Sequence, residues 1–428
     1  MELFNETLMI RRTNCPTGCQ ACEDACTERL GISVIKPVRQ PGLDLASVIV
    51  CNQCSEPECV GVCPTGAIYR KASGVTAIDK EKCAGCGLCV LACPYGGITY
   101  DDASARSYKC DRCDGEEPRC AAACPHGILT YAKSRRVTAH FHEIDLLSGS
   151  TGLCAGCPGE LTGRVMLKVL GRSVVTFRTP GCQPIFMSRV PSIGTLMTNI
   201  ASSMTGASRY FRKIGRDDIT CVCLVGDGAT ADVGFQPLSG AAARNERILY
   251  ICNDNEAYMN TGIQSSGTTP ALAWTTTTWV GEKGRGKAAA GKYMPLIMLM
   301  HHVAYVATAT VGHMEDYVLK LEKAREAAKR GTAYLHLYTP CPTGWRAPVE
   351  LGIELSRVAV ETNHFPLWEA EDGKVRFTHK VEKPKPIKEF YKMMGRFSHL
   401  KEEDFVDIQQ RVDRRVALIE RLASGESI

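Results

Sequence analysis

Residues 219–255 read ITCVCLVGDGATADVGFQPLSGAAARNERILYICNDN. Ile219 to Val225 is a short β-rich run that stops at Gly226-Asp227-Gly228. Arg247 to Cys252 is a second, and it stops at Asn253-Asp254-Asn255. Gly234 to Asn245 between them reads as a helix. Strand, helix, strand in this order make a βαβ unit, which places both polar motifs at the carboxyl ends of parallel strands, where open α/β sheets bind ligands. A diphosphate with Mg2+ suits such a place: the ion wants hard oxygen ligands, glycine lets phosphate approach the backbone, and a helix amino end favours the anion. Gly-Asp-Gly alone is also an ordinary turn, so the weight rests on two motifs about 26 residues apart. Cys221, Cys223 and Cys252 fall inside the strands and are expected as core thiols.

Upstream, sixteen of the 23 cysteines lie within the first 124 residues in four quartets. They are Cys15-x3-Cys19-x2-Cys22-x3-Cys26, Cys51-x2-Cys54-x4-Cys59-x3-Cys63, Cys83-x2-Cys86-x2-Cys89-x3-Cys93 and Cys110-x2-Cys113-x6-Cys120-x3-Cys124. Proline follows the last cysteine of the second, third and fourth quartets, and the third is the bacterial ferredoxin run. Three closely spaced thiolates cap one 4Fe-4S cube while the fourth reaches a neighbouring one, so quartets work in pairs. Zinc sites use isolated Cys-x2-Cys pairs. Disulfides need an oxidising compartment, and Met1 to Arg12 has no apolar core of signal-peptide length, so a cytoplasmic location is expected.

The four quartets resemble the ferredoxin-like subunits of hydrogenase and molybdoenzyme systems. That resemblance implies clusters held by Cys15, Cys19, Cys22 with Cys124; by Cys51, Cys54, Cys59 with Cys93; by Cys83, Cys86, Cys89 with Cys63; and by Cys110, Cys113, Cys120 with Cys26. This sequence departs from the pattern in the x3 spacing that opens the first quartet and the x6 insert of the fourth.

From about Leu153 onward, GDGATADVGFQPLSGAAARN, YICNDNEAYMNTGIQSSGTTP, AWTTTTWVG, YTPCPTGW and KEFYKMMGRFSHL closely resemble the β subunit of the pyruvate:ferredoxin oxidoreductase family and its 2-oxoacid relatives. The resemblance implies thiamine diphosphate and Mg2+, with Asp227, Asn255 and the Ala257 carbonyl as metal ligands. It places Gly226 and Gly228 at the diphosphate, and Asn260 (the catalytic candidate) and Thr261 beside the thiazolium and diphosphate. Glu160 would be a cofactor contact, although the local CPGE is one residue longer than in the pyruvate enzymes. Cys154, Cys157, Cys182 and Cys341 would hold a fifth 4Fe-4S cluster close to the thiamine. The implied activity is oxidative decarboxylation of a 2-oxoacid to carbon dioxide and, with coenzyme A, an acyl thioester. Electrons would leave singly through five clusters to ferredoxin or to a flavoprotein subunit that reduces NAD.

The expected fold is an α/β thiamine diphosphate-binding domain, a parallel sheet with helices on both faces, preceded by a small α+β polyferredoxin-like domain. Its divisions are 1–130 for the four clusters, 131–150 as linker, 151–345 for the cofactor domain with its proximal cluster, and 346–428 as a C-terminal extension. In that extension Phe390, Met393, Met394 and Phe397 sit at helical spacing, fitting either a docking arm or a helix packed on its own domain. His140 and His142 in the linker are read as exposed or packed side chains. Gly281 to Gly291 (GEKGRGKAAAG) lacks the order of a nicotinamide fingerprint and is expected as a mobile loop.

No second α/β domain supplies the glutamate that activates the thiamine pyrimidine, so an α-type partner subunit carrying it, and a γ-type subunit, are expected. Met294 to Gly312 is apolar but interrupted by His301 and His302, which reads as buried core and no membrane span. A net charge of +5 is too mild to indicate nucleic acid. Against the catalytic reading stands an electron-transfer subunit on a thiamine fold that no longer binds thiamine. Asp227, Asn255 and Asn260 occurring together favour the catalytic one. The substrate stays open among pyruvate, an aryl 2-oxoacid such as phenylglyoxylate, and oxalate.

Overall fold

The computed structural model describes residues 4–10, 18–39, 46–54, 57–71, 73–135, 141, 145–147, 152–182 and 188–425. Cys15, His140 and His142 lie outside the described residues. Two compact units divide the chain, Met1–Arg136 and Val137–Ile428.

The N-terminal unit is built of short helices and two-stranded ladders. Lys36–Arg39 pairs with Ala46–Ile49, Ile68–Arg70 with Thr76–Ile78, and Ile98–Asp101 with Arg106–Lys109, each antiparallel. Phe4–Ile10 runs antiparallel to Leu129–Arg135. Residues 131–135, read from sequence as the start of a linker, are therefore strand. Their partner lies at the other end of the unit's sequence, where local pattern cannot reveal it. Two small apolar cores sort the cysteines. Cys22, Ile35, Val48 and Leu129 are buried together with Cys26, Cys120 and Cys124 against them. Ile68, Cys89 and Ile98 are buried with Cys59, Cys63 and Cys93 against them. A core this small buries too little apolar surface to be stable alone, and cross-links through bound clusters are the usual remedy.

The second unit is centred on an eight-stranded sheet. Its strands lie in the order Ser192–Gly194, Val174–Arg178, Thr220–Gly226, Leu249–Asp254, Ala333–Tyr338, Tyr305–Thr310, Leu367–Glu371, Lys374–His379. The first six are mutually parallel; Leu367–Glu371 runs antiparallel to them and Lys374–His379 antiparallel to it. Leu249–Asp254, Tyr305–Thr310 and Ala333–Tyr338 are buried along their whole length, which is why they read as continuous apolar runs and show no alternation. Alternate side chains feed opposite faces. Val222, Leu224, Leu249 and Ile251 pack with helices Gly159–Leu170 and Met314–Ala328 on one face. Cys221, Cys223, Tyr250 and Cys252 pack with Ile200–Lys213 and Phe235–Ala243 on the other. The three strand cysteines are thus ordinary core thiols, at most 1% exposed.

The C-terminal segment belongs to this unit and is no separate arm. Two of its strands complete the sheet, and Phe390, Met394 and Phe397 are buried in one core with Trp345, Phe365, Phe405 and Ile408. The amphipathic face that the spacing of Phe390, Met393, Met394 and Phe397 announces is covered by its own domain. The apolar stretch after Met294 resolves into helix Met294–Leu299 and strand Tyr305–Thr310. Among the described residues no helix is long and apolar enough to cross a membrane.

Candidate cofactor site and thiol clusters

Parallel register sets Gly226 beside Asn253 and Asp254 beside Tyr338, so both polar motifs leave the sheet side by side at its carboxyl edge. Beyond them opens a pocket bordered by Gly226, Gly228, Asn255, Ala257, Asn260, Thr261 and Cys182. A Cβ built on Gly226 meets nothing within 4 Å, leaving room for a ligand, whereas one on Gly228 would stand 2.2 Å from the Tyr258 ring. Gly228 is thus demanded by the protein's own packing. Asn260 and Thr261 are exposed at the rim, where the Thr261 hydroxyl donates to Gln264 Oε1 at 2.7 Å.

Three oxygens converge beneath this cavity. The Asn255 amide oxygen faces two acceptors, the Ala257 carbonyl oxygen at 2.9 Å and Asp227 Oδ1 at 3.1 Å; with the amide turned over, its nitrogen would donate to both. Ligands on neighbouring corners of an octahedron with Mg–O of 2.0–2.1 Å stand about 3.0 Å apart. The unturned amide therefore presents the oxygen array a magnesium ion requires, and the donor set fits that ion. Asp227 is fully buried. Burial and the nearby Asp254 carboxylate push its carboxyl well above the usual range, a situation that a divalent cation reverses.

Residues outside the two motifs hold this array in place. The Thr268 hydroxyl stands 3.0 Å from both Asp227 Oδ2 and Asp254 Oδ1. Having one proton, it donates to one carboxylate at a time. Asp254 Oδ2 faces His336 Nε2 at 2.9 Å, and Tyr334 bonds the other ring nitrogen at 2.7 Å. Lys287 donates to the carbonyls of Ser266, Gly267 and Thr269, clamping the turn that carries Thr268. The Gly281–Gly291 segment is accordingly anchored, with Arg285 also bonded to Asp404, and the expected mobile loop is corrected: its lysine is satisfied by carbonyls that local sequence does not show.

Glu256, between two of the converging residues, adopts φ 62, a left-handed conformation uncommon for non-glycine residues. Its carboxylate is ion-paired to the buried Arg396 and accepts from Tyr338 at 3.1 Å, with His364 Nε2 also at 3.1 Å. Arg396 lies over the Trp345 ring at 4.1 Å, and the Trp345 indole donates to the Asn255 carbonyl at 2.9 Å. The C-terminal segment thus holds the loop of Asn255 and Glu256 in place. Burial alone would raise the Glu256 carboxyl, but Arg396 and His364 prevail and hold it at about 2. Its folded value lies below the ordinary 4.5, so this stabilisation is complete above pH 4.5 and disappears as pH falls toward 2. Arg396→Met is expected to cost roughly 3–5 kcal/mol at neutral pH by stranding a buried carboxylate. In scanning calorimetry the unfolding transition should drop by on the order of 10 °C, and the gap to wild type should narrow as pH falls below 4.5.

Glu160 does not reach the cavity. It sits in the first turn of helix Gly159–Leu170 and pairs with Arg164 at 2.8 Å, one helical turn along, so the expected cofactor contact is corrected to a helix-surface ion pair.

The thiols gather in sets. Cys63, Cys83, Cys86 and Cys89 line one pocket. Burial raises Cys54 and Cys59, and the charges of Cys51 and Cys93 raise both further. Burial pushes Cys120 to about 11, with Cys113 and Cys26 adding to it, and Cys110 to about 12, with Cys120 among its neighbours. Cys22 and Cys124 share a core, and with Cys15 outside the described residues that set is seen only in part. In the second unit burial takes Cys182 to about 12 and Cys341 to about 11, each raised further by Cys154 and Cys157. Thiols crowded this way give up their protons when metal arrives. Among the described residues no three His, Cys, Asp or Glu side chains stand as a single-ion site. Ligands of one tetrahedral zinc lie only about 4 Å apart, and a cubane holds its thiolates wider. Cys182 borders both its thiol set and the cofactor cavity, the adjacency that electron transfer from a bound cofactor needs.

Comparison with known proteins agrees with both units. The 4Fe-4S dicluster domain family matches residues 46–134, and the thiamine pyrophosphate enzyme C-terminal TPP binding domain family matches residues 181–337. The NADH-dependent phenylglyoxylate dehydrogenase subunit beta of Aromatoleum evansii is 42% identical over 429 residues, covering 95% of each chain. Pyruvate synthase subunit PorB of Methanothermobacter thermautotrophicus is 44% identical over 267 residues, 61% of this chain and 92% of its own. Ketoisovalerate oxidoreductase subunit VorB of Pyrococcus horikoshii is 38% identical over 303 residues, 68% of this chain and 96% of its own. With both units matched along nearly the whole length of one relative, the chain belongs to the β subunits of the 2-oxoacid:ferredoxin oxidoreductase family and carries a 4Fe-4S ferredoxin domain at its N-terminus.

Proposed function

We propose that this chain is the thiamine diphosphate-binding, electron-transferring subunit of an enzyme that oxidatively decarboxylates an aryl 2-oxoacid such as phenylglyoxylate to carbon dioxide and an acyl-coenzyme A. The observation that carries this choice is coverage: the phenylglyoxylate dehydrogenase relative matches 95% of the chain, four-quartet unit included, whereas the pyruvate synthase relative matches 61%. Pyruvate remains the second reading, on the 44% identity over that shorter span.

Thiamine diphosphate, when bound, supplies the carbon nucleophile that releases carbon dioxide from a 2-oxoacid. Asp227, Asn255 and the Ala257 carbonyl hold Mg2+ against the diphosphate, Gly226 leaves the phosphates room, and Asn260 and Thr261 meet the cofactor at the rim. Cys154, Cys157, Cys182 and Cys341 would hold one 4Fe-4S cluster and the N-terminal quartets four more, five in all, which would supply one-electron transfer toward ferredoxin or a flavoprotein that reduces NAD. An α-type subunit contributes the glutamate for the thiamine pyrimidine, and a γ-type subunit completes the complex. This inventory of reduced thiolate ligands suits the cytoplasm of an anaerobe.

The test is an anaerobic assay of the complex with phenylglyoxylate, pyruvate or oxalate, with and without coenzyme A, followed by viologen reduction. Phenylglyoxylate should give a kcat/KM at least about tenfold above pyruvate and should require coenzyme A. Preference for pyruvate would establish the second reading, and coenzyme A-independent oxidation of oxalate would overturn both.

A further inference from the structure

Lys109 ends the strand Arg106–Lys109, one residue before Cys110, and is 5% exposed. Its ammonium donates to the Thr76 carbonyl oxygen and lies 3.5 Å from the Cys110 carbonyl oxygen. Both partners are neutral. The carboxylates nearby are engaged elsewhere, Asp111 with Arg29, Asp114 with Lys71 and Asp79 with Lys82, and among the described residues none pairs with Lys109. A buried ammonium without a counter-charge is costly, so an anion must stand close by.

Gln53 shows which one. It lies within the Cys51-x2-Cys54 loop, is 2% exposed and adopts φ 51. Its amide nitrogen donates to the same Thr76 carbonyl at 3.1 Å and to the Cys110 carbonyl at 2.6 Å, while the Thr76 N–H donates to its oxygen at 2.7 Å. The ammonium and this loop are therefore fastened to the same two carbonyls. Arg29, the cation beside Cys26 and Cys113, is already neutralised by Asp111 at 2.6 Å.

We propose that Lys109 is the fixed counter-charge of the cluster held by Cys51, Cys54, Cys59 and Cys93, and that it raises this cluster's potential. The proposal rests on the reading of these four cysteines as cluster ligands. A 4Fe-4S centre with four thiolates is anionic, and one-electron reduction adds a further negative charge with no proton required; a buried cation alongside favours the reduced form, since net charge and neighbouring groups set the potential. The electron arrives from a neighbouring cluster and leaves to the next, so this station holds it in between. Its position against Cys110 gives it an adjoining cluster to exchange with.

The experiment is an anaerobic redox titration of the whole complex, followed by electron paramagnetic resonance, for wild type, Lys109→Met and Lys109→Arg, with iron counted in each. In Lys109→Met one wave should fall so that its reduced-to-oxidised ratio at the wild-type midpoint drops at least tenfold, which is 59 mV for a one-electron couple. The other waves and the iron content should hold, and Lys109→Arg should keep the wild-type midpoint. A methionine variant with full iron and no wave moved overturns the proposal. If Lys109→Met loses one cluster's iron, restoration by Lys109→Arg supports a charge role, and loss in both variants assigns Lys109 to packing and overturns it. A wild-type protein without iron would instead overturn the cluster reading itself.

Discussion

Asp227→Ala is expected to abolish thiamine diphosphate binding at micromolar cofactor and to lower turnover by on the order of 10³-fold, with the iron content unchanged. Asp227 is buried beneath the cavity with its Oδ1 3.1 Å from the Asn255 amide. Removing it deletes one of three protein oxygens on the ion and leaves Asp254 with the shared Thr268 hydroxyl. Losing one partner of a buried charge contact costs roughly 4 kcal/mol, about three decades in affinity or rate. Asp227→Asn keeps an oxygen in place and should recover part of the activity at high Mg2+. The check is equilibrium binding of thiamine diphosphate across a magnesium series, alongside iron analysis. Unchanged binding in Asp227→Ala would remove this residue from the cofactor site.

Cys182→Ser is the second large effect. It is expected to remove about four iron atoms per chain, the content of one cubane, to leave thiamine diphosphate binding in place, and to cut substrate-driven viologen reduction by at least about 100-fold. Cys182 is the thiol that borders both the cofactor cavity and the set formed with Cys154, Cys157 and Cys341. The clusters of the N-terminal unit should still reduce with dithionite while no longer filling from substrate. Cys223→Ser is the control: its thiol is fully buried in the core of the sheet, so it should destabilise the unit and lose no iron. Equal iron loss from both variants would mean that unfolding, and not ligation, drives the change.

How much of this was legible in the sequence varies with the distance between the residues involved. The βαβ unit follows from two β-rich runs and their polar ends, because strand, turn and helix signals are local. The cysteine sets follow from spacing only as far as each quartet. Which quartet supplies the fourth thiol is a property of the fold that spacing does not carry; in the structure one small core holds first- and fourth-quartet cysteines and the other second- and third-quartet ones. The supports of the Asn255–Glu256 loop were invisible, since Glu256 and Arg396 are 140 residues apart and an exposed arginine would look the same in sequence. Thr268 lies in a stretch that marks the family, yet nothing local says its hydroxyl faces two carboxylates. Glu160 was misplaced for the converse reason: proximity in sequence to a cysteine pair suggested the cofactor, while helical periodicity turned its side chain to Arg164. The C-terminal helices show the limit of amphipathic spacing, which reveals that a face must be covered but not by what.

The most direct measurement is the cofactor stoichiometry of the anaerobically purified complex, with iron, acid-labile sulfide, magnesium and thiamine diphosphate counted per copy of this chain. About 20 iron with equal sulfide, four for each of five cubanes, are expected together with about one magnesium and one thiamine diphosphate. Full iron with no thiamine diphosphate, partners present, would contradict this expectation and leave an electron-transfer subunit on a fold that no longer performs the decarboxylation.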